Sequence, residues 1–269
     1  MSEIYKIVSE IERNQIISKI AKGKRVNGRA LDEYRNIKIE TDIVGKADGS
    51  ARVELGDTKV IVGIKADIGE PFPDSPDEGV VTISAELLPM AFPTFEPGPP
   101  SFDAIELARV VDRGIRHSDV VERKKLCIIP SKKVWILFAD IYVIDSDGNL
   151  FDASSIATLA ALKSLKIPEI KVSGEEIEVV KGSKQSIPLK GKIAAVTIAK
   201  IGEYLLVDPD NSEERIMDAR ITVSFNEKEE ICAIQKGGES SFKYDEIEAA
   251  INLAAKSAKT IFKEISKVM

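Results

Sequence analysis

The sequence predicts an α+β protein made of two related halves that pack together, preceded by a helical extension. Three observations predict it. Segments with strand character lie on both sides of a helix in two successive parts of the chain, and the chain closes with a long helical pattern. No short-period repeat or heptad seam competes with this interpretation. We expect an extension at residues 1–25, a first half at residues 26–185 and a second half at residues 186–269.

The N-terminal segment carries apolar residues at helical spacing. They fall on one stripe and then shift phase to a second: Ile4, Ile7, Val8 and Ile11, followed by Ile16, Ile17 and Ile20. The shift predicts one broken helix or two short ones. The basic, glycine-bearing segment Lys22–Arg29 follows, and we interpret it as a solvated hinge.

The first half opens with a predicted hairpin. Residues 50–55 and 58–66 are rich in strand formers and are separated only by Gly56-Asp57, a two-residue signature of a tight turn. Two proline-studded stretches then flank the next strand and must be irregular, because proline lacks an amide donor. The other strand segments of this half are residues 80–88, 124–129 and 133–144.

Two helices are predicted in the first half. Ser101 is a suitable N-cap for a helix that runs to about His117. Residues 153–165 are small and apolar nearly all round, which predicts a helix buried on most sides, with Asp152 as its N-cap.

The second half follows a polar ribbon through Gly174 and Gly182. Strands are predicted at residues 193–207, turning at Ile201-Gly202, and at residues 219–235. A closing helix is predicted near Asp245–Val268.

Composition excludes several function classes. The formal net charge of −6 over 269 residues argues against nucleic-acid binding through overall charge, so any RNA contact needs a local basic patch. We expect a cytoplasmic protein that does not enter a membrane, because no apolar run approaches the roughly 20 residues of a span and no signal pattern opens the chain. Cys127 and Cys232 are interpreted as core residues, and no metal or other cofactor is expected. The single histidine, His117, disfavours most histidine-centred hydrolases.

The helix that begins after Ser101 is the most informative element. Arg109, Arg113 and Arg116 fall within one narrow stripe of it, and apolar residues occupy the opposite face. Guanidinium groups match phosphate oxygens, so this arginine ridge could follow an RNA backbone. On spacing alone, a solvated face whose arginines pair with Glu106, Asp112 or a neighbouring subunit is slightly favoured.

Two other segments could bind an anion or a cation. The turn at residues 147–154 leads into a helix N-terminus, but it carries Leu150, Phe151 and Asp152 where a phosphate site would need small or basic residues, so we interpret it as a helix cap. An acidic cluster could hold Mg²⁺ or supply an acid, although a solvated loop is strongly favoured: Asp208, Asp210, Glu213, Glu214 and Asp218.

Three separated motifs resemble the RNase PH family: residues 50–60, residues 107–116 and Asp147-Gly148-Asn149. The segment Phe95–Pro100, the helical extension and Asp218-Ala219-Arg220 are similar to the non-catalytic RNase PH-like subunit of the archaeal exosome. The resemblance implies the RNase PH fold, two β-α-β-α halves similar to domain 2 of ribosomal protein S5.

The resemblance also implies phosphorolysis, in which inorganic phosphate attacks the 3′-terminal linkage of RNA. Active members bind that phosphate with a Gly-Ser/Thr-Arg loop, where this chain has Asn149, Leu150 and Phe151. Glu214 stands roughly where a catalytic aspartate is expected, and its spacing to Asp218 is shorter than in active members. The resemblance therefore implies a subunit with no catalytic residues.

The same resemblance places Arg109, Arg113 and Arg116 at an inter-subunit RNA path, which raises the RNA-binding interpretation above the solvated face. It implies a hexameric ring, a trimer of heterodimers with a catalytic RNase PH-like subunit, that admits single-stranded RNA and carries cap proteins with S1/KH domains or a zinc ribbon. One alternative is an active phosphorolytic 3′→5′ exoribonuclease, which only the acidic cluster supports. A small-molecule kinase is a further alternative, but its glycine-rich nucleotide loop is not found.

Overall fold

The computed structural model describes residues 8–268, which form two main sheets, a separate hairpin and five helices. The first half supplies β1 (Ile37–Thr41), β2 (Gly49–Leu55), β3 (Thr58–Gly69), β4 (Val80–Leu87), β5 (Cys127–Ile129) and β6 (Lys133–Asp145). They form one sheet in the order β1-β2-β3-β6-β4, with β5 paired to β6. Only the β4–β6 pair is parallel within this sheet.

Two strand groups follow this sheet along the chain. A hairpin joins β7 (Lys166–Ser173) to β8 (Glu176–Ser186). A four-stranded antiparallel sheet follows in the order β10-β9-β11-β12, built from β9 (Ile193–Ile201), β10 (Tyr204–Val207), β11 (Ala219–Asn226) and β12 (Ile231–Gly237).

The helices are α1 (Glu10–Ile20), α2 (Phe102–His117), α3 (Leu150–Ser164), α4 (Asn211–Glu214) and α5 (Tyr244–Val268). Every residue of α3 from Asp152 to Leu162 is buried, which confirms the prediction of a helix buried on most sides. The helix packs on β2, β3 and β9, so one apolar core joins both sheets. None of the helices in residues 8–268 combines the length and the apolar character that a membrane crossing requires.

Close backbone approach fixes how α3 packs on the first sheet. A Cβ added at Gly49 would lie 2.6 Å from the carbonyl oxygen of Ala161, so only glycine allows β2 to lie so near the helix. The hairpin between β2 and β3 is confirmed, with Leu55 opposite Thr58 and Gly56 in the left-handed region at φ 57°.

Several local predictions were wrong. The segment Arg123–Leu126 is a 3₁₀ helix, and only residues 127–129 of the predicted strand pair with β6. Helix α3 begins at Leu150, so Asp152 lies inside its first turn and is not its N-cap.

The described part of the N-terminal extension is helical over Glu10–Ile20, as predicted. Ile16 and Ile20 of α1 are buried against Ile201, Leu206 and Ile216 of the second half. The predicted apolar stripe is only partly buried, because Ile11 is 78% exposed. The predicted positions 4 and 7 lie outside the described residues.

Candidate functional site

Helix α2 presents the predicted arginine ridge to solvent. The Ser101 side chain accepts a 3.2 Å hydrogen bond from the amide of Ala104 and begins the helix, as its sequence predicts. The apolar positions of the helix face the core, and the ridge positions Arg109, Arg113 and Arg116 are exposed. The amphipathic arrangement is therefore confirmed, whereas RNA contact by these residues stays a prediction.

The three arginines differ in their partners. Arg116 Nη2 donates to the Asp112 carboxylate at 3.1 Å, one helical turn away, and Arg113 donates to the side-chain oxygen of Gln235 on β12. Arg109 makes no hydrogen bond or ion pair with any residue between 8 and 268. Each guanidinium has several donors, so all three arginines retain N–H groups that can bind phosphate oxygens.

A short network occupies the start of α3, at the position that the RNase PH resemblance implies for phosphate in active members. Asn149, in the left-handed region at φ 52°, precedes the helix, and its main-chain amide donates a 2.8 Å hydrogen bond to Glu214 Oε1. Arg220 lies 4.5 Å from the centre of the Phe151 ring and pairs with Glu106 at 2.7 Å. The amide and the guanidinium near this helix end are thus both bound by carboxylates of the chain itself.

The position of Glu214 changes its protonation. Removal from water raises its pKa to about 7, although the Asn149 amide and the charge of Arg220 act to lower it. Glu214 is consequently partly protonated near neutral pH and places less negative charge at the helix N-terminus than an ordinary glutamate would.

Asp152 links the two halves of the fold. One carboxylate oxygen accepts from the Tyr34 hydroxyl at 2.6 Å and from the Thr197 amide at 3.0 Å, and the other accepts from the Thr197 hydroxyl at 2.8 Å. Complete burial raises the pKa of Asp152 to about 6, against these hydrogen bonds, which favour the charged form. Its role is to hold α3 against β9.

The acidic cluster is not a solvated loop, and that prediction was wrong. Asp208 is 0% exposed and binds Arg35 through two side-chain hydrogen bonds of 2.8 Å and Arg29 at 2.9 Å. Burial acts to raise the pKa of Asp208, but the hydrogen bonds and charge of Arg35 outweigh it and hold the pKa below its usual value. The cluster therefore neutralises arginines from the start of the first half.

The segment interpreted as a solvated hinge supplies two of the arginines that the cluster binds, Arg29 and Arg25. Arg25 is 1% exposed and chelates the Glu213 carboxylate, with Nε to Oε1 at 2.7 Å. It also donates to the carbonyl oxygens of Val207 and Asp208 at 2.7 and 2.8 Å. The sequence carried one signal for this pairing. Three arginines lie close together at Arg25, Arg29 and Arg35, and they could neutralise an acidic cluster elsewhere in the chain. Among the described residues, no group of His, Cys, Asp and Glu is arranged to hold a metal ion.

A cavity of about 790 Å³ opens beside this network. Its walls include Phe151 and Leu150 of α3, Glu214 of α4 and Arg220 of β11. Sequence reasoning missed the cavity, since its walls come from six segments that are distant in the sequence.

Comparison with known proteins identifies the family of this chain. The sequence matches the RNase PH profiles described as "3′ exoribonuclease family, domain 1" over residues 33–168 and "3′ exoribonuclease family, domain 2" over residues 191–257. The chain belongs to the 3′ exoribonuclease family. The RNase PH resemblance and fold are thereby confirmed, whereas the boundaries at 25/26 and 185/186 stay predictions.

Similar members of the 3′ exoribonuclease family come from archaea. The exosome complex component Rrp42 of Thermococcus gammatolerans is 50% identical over 259 residues, covering 96% of this chain and 94% of the relative. The same component of Methanothermobacter thermautotrophicus is 46% identical over 263 residues, covering 98% and 97%.

Two solved structures have the same fold. A chain of the Archaeoglobus fulgidus exosome with RNA bound to the active site superimposes with a TM-score of 0.88 at 39% identity, covering 95% of this chain and 98% of that one. A chain of an archaeal exosome core gives a TM-score of 0.84 at 36% identity, covering 96% and 97%.

Proposed function

We propose that the chain is a non-catalytic RNase PH-like subunit of an exosome, which binds RNA and shapes the active site of a catalytic partner without degrading RNA itself. The names of the relatives, Rrp42 components of exosome complexes, support the assembly. One observation carries the non-catalytic role: the Asn149 amide at the start of α3 is bound by Glu214 of the same chain. Phosphorolysis needs free donors to hold the attacking phosphate, and the Asn149 amide is already used as a donor to Glu214.

The exposed arginine ridge of α2 supports the RNA-binding part of the proposal. A guanidinium with unused donors can bind successive phosphates of a strand that passes the helix. The partners that fit this role are a catalytic RNase PH-like subunit in a ring of three heterodimers, cap proteins with S1/KH domains or a zinc ribbon, and single-stranded RNA. The proposed location is the cytoplasm.

The alternative of an active phosphorolytic enzyme is less well supported than the non-catalytic role. It depended on the acidic cluster, and two members of that cluster, Asp208 and Glu213, are bound by Arg35 and Arg25.

Measurement of nucleoside diphosphate release tests the proposal. The purified chain is incubated with Mg²⁺, inorganic phosphate and an RNA with a single-stranded 3′ tail, alone and after reconstitution with a catalytic homologue. We expect no release by the chain alone and release by the complex that exceeds that of the homologue alone. Release by the chain alone, lost on Glu214→Ala substitution, would contradict the proposed role.

A further inference from the structure

We propose that Asn27 is a site of covalent modification: its side chain deamidates when the tip of the loop at residues 25–29 opens, and the product loosens α1. Asn27 and Gly28 form the only Asn-Gly pair among the 269 residues. The loop follows α1 along the chain and lies against Asp210, the N-cap of α4. The inference goes beyond the proposed function and does not depend on it.

The reaction needs only these two residues and water. The main-chain nitrogen of Gly28 attacks the side-chain carbonyl carbon of Asn27, a C–N bond forms, and the side-chain nitrogen leaves as ammonia. Water then opens the cyclic imide at either carbonyl and leaves an aspartate or an isoaspartate, whose carboxyl group loses its proton at neutral pH. Glycine favours the first step because it has no side chain to hinder the attacking nitrogen.

Both residues lie at the tip of the loop. Asn27 and Gly28 are exposed, and a Cβ added at Gly28 would meet no described atom within 4 Å. Gly28 has a φ of 89°, a conformation that favours glycine. Water can therefore reach both residues.

Hydrogen bonds engage both reacting groups while the loop is closed. The amide of Gly28, which must attack, donates to the carbonyl oxygen of Arg25 at 3.1 Å. The side chain of Asn27 donates from Nδ2 to Asp210 Oδ2 at 3.0 Å and accepts from the Arg29 amide at 3.1 Å. These bonds must break before the attack, so the closed loop should deamidate slowly and the open loop quickly.

Buried anchors fix the two ends of the loop. Arg25 is 1% exposed and is bound by Glu213. Arg29 is bound by Asp208 at 2.9 Å. The main-chain amide of Arg25 also donates to the carbonyl oxygen of Arg29 at 2.9 Å, which closes the base of the loop. The contacts of the tip are separate from these anchors, so the tip can open while the rest of the fold stays intact.

The product would break the contact with Asp210. An aspartate at position 27 has no side-chain N–H, so two carboxylates would face each other where Nδ2 and Oδ2 now lie 3.0 Å apart. Asp210 is 8% exposed, so solvent screens this repulsion only in part. Arg29 offsets it weakly, because its Nη2 lies 3.9 Å from Asp210 whereas its Nη1 lies 2.9 Å from Asp208. An isoaspartate also adds a carbon atom to the main chain within the turn.

Displacement of the tip acts on α1 through Arg25, which follows the end of that helix closely. Helix α1 packs on the second sheet through Ile16 and Ile20. Its outer side forms a partly exposed ion pair between Arg13 and Asp218 at 3.5 Å. A loop that pulls away from Asp210 should therefore increase the fraction of molecules in which α1 is detached.

Peptide mass spectrometry after incubation of the full-length chain at pH 8 tests the protection, and an isoaspartate assay identifies the product. We expect Asn27 to deamidate about tenfold or more slowly in the folded chain than in the chain unfolded by urea. Asp210→Ala removes the acceptor and should raise the rate in the folded chain about fivefold. Ser212→Ala is the matched control, because it removes a different hydrogen bond of Asp210, to Oδ1 at 2.6 Å, and should leave the rate unchanged.

Hydrogen exchange tests the consequence for α1. Asn27→Asp imitates one product and should speed amide exchange in α1 about fivefold, whereas Asn252→Asp, the same change at an exposed position of α5, should not. Exchange in the buried helix α3 reports global unfolding and should stay the same in all variants. Equal deamidation of the folded and unfolded chains, a rate that Asp210→Ala leaves unchanged, or unchanged exchange of α1 in Asn27→Asp would overturn the inference.

Discussion

The main-chain amide of Asn149 donates a 2.8 Å hydrogen bond to the carboxylate of Glu214, 65 residues later in the chain. The bond joins the start of α3 to α4, and it places an acid of the protein where a helix N-terminus would otherwise attract an external anion. The protein keeps the fold of its family, and in the proposed function this hydrogen bond occupies the position at which phosphate would bind.

The state of Glu214 predicts a pH dependence of stability. Its pKa is about 7 in the folded protein and 4.5 ordinarily, so the folded state holds this proton more tightly. The resulting stabilisation is complete below pH 4.5 and is lost as the pH rises through 7. Glu214→Gln, which remains neutral and keeps an acceptor for the Asn149 amide, should therefore raise the melting temperature at pH 8 by about 2–4 °C.

Thermal unfolding of Glu214→Gln and the native chain at pH 8 and pH 5 measures this effect. The difference should shrink towards zero at pH 5, where the native glutamate is protonated. Glu176→Gln, an exposed substitution at the start of β8, is the control and should give the same small difference at both pH values. An equal gain for Glu214→Gln at both pH values would contradict the explanation.

The arginine ridge should contribute to RNA binding by the assembled ring. Arg109→Glu together with Arg113→Glu replaces two phosphate-binding cations with anions, and we expect RNA degradation by the complex to fall about tenfold at low RNA concentration. The complex should still assemble, because both residues are exposed. Lys259→Glu with Lys263→Glu, the same i,i+4 charge reversal on exposed positions of α5, should change degradation little. Unchanged RNA affinity and turnover in the arginine double variant would disprove the contribution.

The buried pair Arg25–Glu213 should be essential for stability. Arg25→Met removes a cation that is 1% exposed and leaves the Glu213 carboxylate unpaired in the interior. We expect a loss of about 3–5 kcal/mol in the free energy of unfolding, measured by urea denaturation. Lys59→Met breaks the exposed pair with Asp145 and should leave the transition midpoint almost unchanged. Similar transition midpoints for the two variants would show that the buried Arg25–Glu213 pair stabilises the fold no more than the exposed Lys59–Asp145 pair.

Gly148 should tolerate no side chain. Its φ is 79°, and an added Cβ would lie 2.6 Å from the carbonyl carbon of Asp210 and 2.7 Å from the amide nitrogen of Asn211. Gly148→Ala should cost about 3 kcal/mol or more, because backbone strain and a clash with backbone add together. Gly174→Ala in the β7–β8 turn, where φ is 65° and no atom lies within 4 Å, isolates the strain and should cost about 1–2 kcal/mol. Urea denaturation measures the free energy of unfolding of both variants. Equal losses would exclude the contact of Gly148 with the backbone of Asp210 and Asn211 as the cause.

The sequence by itself determined the elements whose signals are local. Ser101 fixes the start of α2 because a cap bonds within one turn, and helical periodicity places Arg109, Arg113 and Arg116 on the exposed face. The Gly56-Asp57 turn and the buried helix α3 follow from short-range patterns in the same way. The family motifs are also contiguous segments, so family membership was recognisable from sequence alone.

Only the tertiary structure decided what the charged and capping residues do. Asp208 has the local signature of a polar turn, yet its partner Arg35 lies 173 residues earlier in the chain. Asp152 likewise has the local signature of an N-cap. Its actual partner, Thr197, lies on β9 and is 45 residues later in the chain. Local periodicity reports whether a residue faces the core, but a buried ion pair or a closed anion site depends on which distant segment the fold brings within 3 Å. The hydrogen bond between Asn149 and Glu214 is therefore a property of the folded chain.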